Sequence, residues 1–84
     1  MKVTKVTVKK IENQGTLVAD AHVVLDGEFV LKGIKIIKTD KGTFVAMPDK
    51  KDKQGKYHEV FHPITKEFRD KLVSAVLTEY EVQQ

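Results

Sequence analysis

The sequence predicts an α+β fold in which a five-stranded antiparallel sheet precedes one C-terminal helix, within a single domain of residues 1–84. Three observations support this prediction. Between residues 3 and 62, apolar and polar residues alternate with a period of two, as in strands with one buried face. Turn sequences that contain glycine separate the alternating segments. After residue 65, apolar residues recur every four positions, which is typical of one face of a helix.

The first three predicted strands are Val3–Ile11, Leu17–Leu25 and Glu28–Ile37. The Asn13-Gln14-Gly15 segment predicts the first turn, and Asp26-Gly27, which tolerates positive φ, predicts a hairpin. The alternation shifts at Gly33, which predicts a β-bulge in the third strand. In the second strand, we expect five residues to share one face: Leu17, Ala19, Ala21, Val23 and Leu25.

Two more predicted strands follow. After a turn at Asp40-Lys41-Gly42, the nearly all-apolar segment Thr43–Met47 predicts a strand that is central in the sheet or buried on both faces. Pro48 has no N–H to donate to a ladder and marks the end of that strand. A hydrophilic loop then leads to the fifth predicted strand, Lys56–His62.

The C-terminal helix is predicted from about Lys66 to Tyr80, with Thr65 as its N-cap. Its apolar positions include Phe68, Leu72, Val76 and Tyr80. A single helix can cover only part of a five-stranded sheet. We therefore expect apolar strand surface or a free strand edge to meet a second copy of the chain, which predicts a homodimer.

The composition favours a small protein of a reducing compartment. The chain has 84 residues and no cysteine, which excludes a disulfide framework and a thiol nucleophile. No apolar run approaches the roughly 18 residues of a membrane span, and the N-terminus lacks the apolar segment of a signal peptide. We therefore expect a cytoplasmic protein with no membrane partner.

Positive charge is concentrated in the strand-rich part of the chain. Residues 1–64 carry 12 lysines and 8 acidic residues, whereas residues 65–84 carry 3 basic and 4 acidic residues. A basic surface can attract a polyanion such as nucleic acid. Lysines also line strand edges because they keep those edges soluble. Charge alone leaves both interpretations open.

The hydrophilic loop after the fourth strand is the strongest candidate site. It contains four lysines that could reach phosphates, namely Lys50, Lys51, Lys53 and Lys56. Asp49 and Asp52 reduce its net charge to +2. Tyr57 adjoins the loop and could stack on a base, whereas Phe44 and Phe61 are expected in the core. The alternative is that the loop is only a solvated hairpin tip.

The remaining polar residues do not form a catalytic or metal-binding motif. His22, His58 and His62 are spread over two predicted strands, without the spacing typical of zinc ligands, so we expect no metal site. The one serine, Ser74, lies in the predicted helix, and no glycine-rich phosphate loop is present. We therefore predict a protein that is not an enzyme and uses no cofactor and no small-molecule substrate.

Several motifs in the chain resemble the stage V sporulation protein G (SpoVG) family. The most specific are Phe44-Val45-Ala46-Met47-Pro48 and, after a basic loop with Gly55, His62-Pro63-Ile64. The segments Met1–Val6, Gly27–Val30 and Ala75–Tyr80 are also similar to the family. The resemblance thus extends over almost the whole chain.

The resemblance implies a small bacterial homodimer that binds DNA and RNA and acts as a regulator linked to septation and sporulation. Where the family loop carries Ser, Lys and Arg, this chain has Asp49, Lys50 and Lys51, and His58 stands where the family often has Arg. Because lysine lacks the bidentate geometry of arginine, we expect phosphate contacts rather than base discrimination. The predicted nucleic-acid-binding residues are Lys50, Lys51, Lys53, Lys56, Tyr57, His58, Lys66 and Arg69.

A second hypothesis remains open from the sequence. The chain could be a protein-interaction module that recruits partners through a strand edge or the C-terminal helix, without direct nucleic-acid binding.

Overall fold

The computed structural model describes residues 1–11 and 15–82, which form an α+β domain with strands first and a helix last. The elements are β1 (Val3–Lys10), β2 (Leu17–Leu25), β3 (Phe29–Thr39), β4 (Gly42–Ala46), β5 (Asp49–Lys51), β6 (Tyr57–Glu59) and α1 (Lys66–Val82). The first predicted turn, Asn13-Gln14-Gly15, lies mostly outside the described residues. The helix continues two residues beyond the predicted end at Tyr80.

The expected five-stranded sheet is divided in two. Strands β1 to β4 form one antiparallel sheet in chain order, and β5 pairs only with β6 in a separate two-stranded hairpin. Pro48 explains the break, because it follows Met47 directly and cannot donate to the β3 ladder. The predicted fifth strand Lys56–His62 is correspondingly reduced to the three residues of β6.

The β2–β3 connection agrees with the sequence-based prediction. Asp26 and Gly27 have φ values of 53° and 67°, and the N–H of Glu28 donates to the carbonyl of Leu25 at 3.0 Å. Positive φ at both central residues matches the twist of the flanking strands. This turn fixes the register in which β2 meets β3.

The predicted bulge at Gly33 is confirmed. Ala21 pairs with Ile34 but Val23 pairs with Leu31, so β3 carries one residue more than β2 between these pairs. Gly33 has a φ of +86°, a conformation that favours glycine. A Cβ built on Gly33 would lie 3.3 Å from the Cβ of Pro48, so the bulge also brings β3 close to the end of β4.

The core lies between one face of the sheet and α1. Of the five β2 residues that were expected to share one face, four are buried in this core. The exception is Leu17, which is outside the buried core and pairs with Ile37 after a shift in register. The helix contributes Leu72, Val76 and Tyr80 and packs chiefly against β1. Its N-cap is the predicted one, since the N–H of Phe68 donates to Oγ1 of Thr65 at 3.2 Å.

The prediction that Thr43–Met47 is central in the sheet or buried on both faces is wrong on both counts. Strand β4 is the last strand of the sheet, and the side chain of Phe44 is 52% exposed. Val45 packs against the core and Met47 is buried, whereas Phe44 points to the other face of the sheet. The apolar composition misled the prediction because an edge strand can carry apolar residues on both faces.

No helix in the described part of the chain has both the length and the apolar character that crossing a membrane requires.

Candidate nucleic-acid interface

The predicted lysine loop is largely a β-hairpin, made of β5, β6 and the turn between them, which we call the basic hairpin (residues 49–59). Lys50 and Lys51 belong to strand β5, although the sequence predicts a loop between two strands at these positions. Lys50 pairs with His58, and Lys51 pairs with Tyr57. Every residue of the basic hairpin is exposed. The hairpin therefore projects its side chains into solvent rather than into the core.

Asp52 organises the turn of the basic hairpin. Its Oδ1 accepts hydrogen bonds from the backbone N–H groups of Gln54 at 2.8 Å and Lys56 at 2.9 Å. Its Oδ2 lies 2.7 Å from Nε2 of His58 across the hairpin. Two backbone bonds close the turn, from the N–H of Asp52 to Lys56 and from the N–H of Gly55 to Asp52. A carboxylate that bonds nearby backbone in this way is a common turn-forming device.

These contacts also set the charge of Asp52. The N–H of Lys56, and next the side chain of His58, lower the pKa of the Asp52 carboxyl below its ordinary value, against a smaller opposing effect of desolvation. The carboxylate is therefore ionised at neutral pH, and its charge is directed at the turn backbone and at His58. It is less available to pair with the lysines beside it.

The four lysines of the basic hairpin have no ion-pair partner among the described residues. Within the described part of the chain, Lys50, Lys51, Lys53 and Lys56 form no ion pair, and the two pairs found near them join histidines to Asp52 and to Glu59. Their ammonium groups are thus free to contact an external anion. The aliphatic stem of Lys51 runs past Gly55, because its Cε would lie 3.6 Å from a Cβ built there.

Charge is distributed unevenly along the basic hairpin. Its base holds two carboxylates, since Asp49 pairs directly with Glu59. The lysines follow in the next residues and in the turn, so the positive charge increases toward the tip. The two carboxylates at the base repel each other, since like charges directly opposite each other are unfavourable in a ladder. They also repel a polyanion, so a nucleic acid would approach the hairpin from its positively charged tip.

Tyr57 is the aromatic side chain best placed for stacking. It is 66% exposed and lies on the same face of the hairpin as its pairing partner Lys51. Stacking on an aromatic ring accepts any base, since every base has a π-face. The arrangement of a free ring beside a free ammonium suits a single-stranded nucleic acid.

The two helix residues predicted for the interface belong to α1 and not to the basic hairpin. Lys66 and Arg69 are exposed in the first turns of α1, and Nη2 of Arg69 donates to the carbonyl of Pro63 at 3.3 Å. No hydrogen bond or ion pair among the described residues links either side chain to the basic hairpin. The structure thus divides the predicted set into a hairpin group and a helix group.

The histidines do not converge. His58 contacts Asp52, Nδ1 of His62 lies 3.7 Å from Oε1 of Glu59, and His22 is on β2. Among the residues that the structure describes, no group of three or more His, Asp or Glu side chains is arranged to hold a metal ion.

Sequence reasoning missed an apolar pocket of about 440 Å³ at the end of the core. It lies between the hairpin end of β2 and β3 and the start of α1. Ile64 at its rim is 91% exposed. No local pattern indicated this pocket, because its apolar lining comes from distant parts of the chain. The lining includes Met1, Leu25, Phe29, Leu31, Phe61 and Phe68.

The described part of the chain has an α+β fold with one helix against an antiparallel sheet and an exposed basic hairpin. The chain belongs to the SpoVG family, whose model matches residues 1–82, and the predicted resemblance is thereby confirmed. A protein of Archaeoglobus fulgidus named "Putative septation protein SpoVG" is 43% identical over 82 residues, which cover 98% of this chain and 96% of that protein.

Proteins with the same name show comparable similarity. The one from Lachnospira eligens is 43% identical over 81 residues, covering 96% of this chain and 92% of its own length. The one from Caldanaerobacter subterraneus subsp. tengcongensis is 42% identical over 81 residues, covering 96% and 89%. The similarity therefore extends over nearly the whole chain, including the basic hairpin.

Proposed function

We propose that this chain is a nucleic-acid-binding regulatory protein that acts as a homodimer and contacts phosphates through the basic hairpin. The observation that carries the proposal is the charge arrangement of that hairpin. Its four lysines have no intramolecular ion pair, while the neighbouring Asp52 carboxylate is occupied by the turn backbone and His58. Free ammonium groups on an exposed hairpin are suited to sequence-independent phosphate contacts.

The proposed binding has affinity without strong base discrimination. Lysine is a flexible point charge, so Lys50 and Lys51 would contact phosphate oxygens rather than read a guanine edge in two places. Tyr57 would add stacking where the target is single-stranded, which is how the proposal accommodates RNA as well as DNA. Lys66 and Arg69 would form a second, separate contact on the helix.

The names of the relatives supply the biological setting of the proposal. Those proteins are named for septation, so we propose that this chain is a cytoplasmic regulator of that process rather than an enzyme. The proposal requires no metal and no cofactor.

The proposal is tested by titrating the wild-type protein with mixed-sequence duplex DNA and single-stranded RNA at several salt concentrations. Each neutralised phosphate contributes a slope of roughly −0.9 in log affinity against log salt on duplex DNA. With about two or three phosphates contacted by each hairpin of the dimer, we expect a slope of about −4 to −5. Absence of binding to either nucleic acid at low salt would refute the proposal.

Among the described strands β4 pairs only with β3, and this favours a second candidate function, a protein-interaction module that pairs through the other edge of β4 with a strand of another protein. The same salt series separates the two functions, because backbone pairing depends little on ionic strength. A partner captured with unchanged yield at high salt, together with no nucleic-acid binding, would favour this second function.

A further inference from the structure

Strand β4 has an edge without the usual features that prevent pairing with another strand. It closes the sheet and pairs only with β3 among the described strands. Alternate residues of an edge strand turn their N–H and C=O groups away from the sheet, where they can pair with another strand. From Gly42 to Met47 the chain carries no charge. Natural edge strands usually carry a lysine, a proline or a bulge that prevents such pairing.

The opposite edge of the same sheet is protected. Strand β1 carries exposed lysines, including Lys5 and Lys9, and α1 packs chiefly against it. The contrast within one sheet indicates that β4 is kept free for pairing, whereas β1 is not.

An apolar row leads to the β4 edge. Leu17 pairs with Ile37, and Ile37 pairs with Phe44, so these three side chains lie side by side across β2, β3 and β4. They occupy the face away from the core, since the neighbouring Ile36 and Val45 point toward it. The row ends at Phe44, which remains 52% exposed because no further strand of the described chain pairs beyond β4.

We propose that β4 pairs antiparallel with β4 of a second copy of the chain, with the twofold axis at Phe44. This inference rests on the homodimer of the proposed function and assigns its interface. The pairing places Phe44 opposite Phe44 of the partner subunit and Thr43 opposite Val45 of the partner subunit. The two apolar rows then join into one, and the exposed Phe44 ring gains an aromatic cross-strand neighbour.

The charges of the chain are compatible with this arrangement. No charged side chain of one β4 faces a like charge in the other, since the paired segment is uncharged. Each basic hairpin begins at Asp49, five residues from the axis and on opposite sides of it. If the chain stays extended at about 3.3 Å per residue, the two Asp49 residues lie about 33 Å apart, several times the Debye length of about 8 Å at physiological salt. At that separation the repulsion between the two hairpins is screened.

The apolar pocket around Phe29 is the competing surface for self-association. Phe29 is 62% exposed, slightly more than Phe44, and nothing in the structure indicates what covers the pocket. The two phenylalanines thus form a matched pair of test positions, with the same residue type and similar exposure on different surfaces.

The first test measures oligomeric state by sedimentation over a range of concentrations for wild type, Phe44→Lys and Phe29→Lys. We expect the wild type to form a dimer, Phe44→Lys to raise its dissociation constant at least about tenfold, and Phe29→Lys to leave it unchanged. Thermal melts establish that both variants are folded. A monomeric wild type, or a loss of the dimer in Phe29→Lys but not in Phe44→Lys, overturns the inference.

The second test uses the absence of cysteine from the chain. Facing residues in antiparallel strands have Cα atoms about 4.5–5.5 Å apart, within the usual range for a disulfide. Under mild oxidation, Phe44→Cys should form a covalent dimer rapidly, whereas Ser74→Cys on the exposed face of α1 should not. Equal cross-linking of both variants, or none in Phe44→Cys while the wild type is dimeric, places the interface elsewhere.

Neither test involves nucleic acid. A failure of the β4 interface is therefore distinguishable from a failure of the proposed function, which the salt titration measures on its own. Binding with the expected salt slope by a protein whose dimer survives Phe44→Lys would retain the function and remove this interface.

Discussion

Replacing Lys50 and Lys51 with alanine should weaken nucleic-acid binding and flatten its salt dependence. The two residues are adjacent in β5, so their side chains point to opposite faces of the basic hairpin. Carboxylates lie at the hairpin base and lysines toward the tip. We therefore expect nucleic acid to approach the tip, from which both lysines can reach phosphates.

Counterion release gives the size of the expected effect. Each lysine that contacts one phosphate in both chains of a dimer accounts for two contacts, or about 1.8 units of slope on duplex DNA. If the hairpin tip contacts the nucleic acid, each single substitution reduces the salt slope by about 1.8 units and the double substitution reduces it by about 3.6. If one face of the hairpin docks instead, one single substitution carries the whole effect and the other none.

The assay is a titration of labelled duplex DNA at several salt concentrations. The matched control is Lys38→Ala with Lys41→Ala, which removes the same charge from exposed lysines at the β3–β4 turn. We expect its slope to change much less, because general electrostatic attraction falls but no contact is lost. Exposed substitutions of this kind usually change stability by within about 0.5 kcal/mol, and a melt checks this. An unchanged slope in a folded Lys50/Lys51 double variant would show that the basic hairpin is not the interface.

Three further predictions concern the fold. Phe61→Ala should cost about 2–3 kcal/mol, since the ring is partly buried against the core, whereas Phe44→Ala should cost about 1 kcal/mol or less in the monomer; denaturant titrations at low concentration compare them. Gly33→Ala should cost about 1–3 kcal/mol and more than Gly27→Ala, because both have positive φ but only Gly33 lies against Pro48; equal losses would exclude a role for that contact. The folded pKa of Asp52 is lowered, so its contribution to the turn is complete above the ordinary value of 3.8 and is lost as pH falls through the lower, folded pKa. Amide NMR signals of Gln54 and Lys56 should shift in that acidic range in the wild type and not in Asp52→Asn, and the same shift in both would assign it to another group.

The sequence predicted the local features that depend on neighbouring residues. The positive-φ turn at Asp26-Gly27, the bulge at Gly33 and the cap at Thr65 each follow from the chemistry of one or two side chains, and the structure contains all three. The family resemblance was also sufficient to identify the family, because its motifs extend along the whole chain.

The arrangement of the strands was not predictable in the same way. An apolar run such as residues 43–47 has the same composition whether it lies in the middle of a sheet or at its edge. Its position depends on whether the next strand joins the same sheet, and here β5 pairs with β6 instead. Likewise, the spacing of the lysines gave no indication that the Asp52 carboxylate accepts hydrogen bonds from the turn backbone, which holds β5 and β6 together as a hairpin. The apolar pocket depends on contacts between residues that are far apart in the chain.

The basic hairpin is held at both of its ends, and this bears on how its lysines work. At the base, the N–H of Val60 donates to the carbonyl of Pro48 at 2.7 Å, and Pro48 itself lies against the bulge at Gly33. At the tip, the Asp52 carboxylate fixes the turn through Gln54 and Lys56. The lysine side chains take part in neither set of contacts. Their backbone positions are therefore set by the fold, and removing a lysine changes the charge of the hairpin without changing its shape. Because the hairpin backbone is already ordered, binding a ligand costs little backbone entropy in the protein. The main entropic cost is the immobilisation of the lysine side chains, about 0.5–1.5 kcal/mol for each.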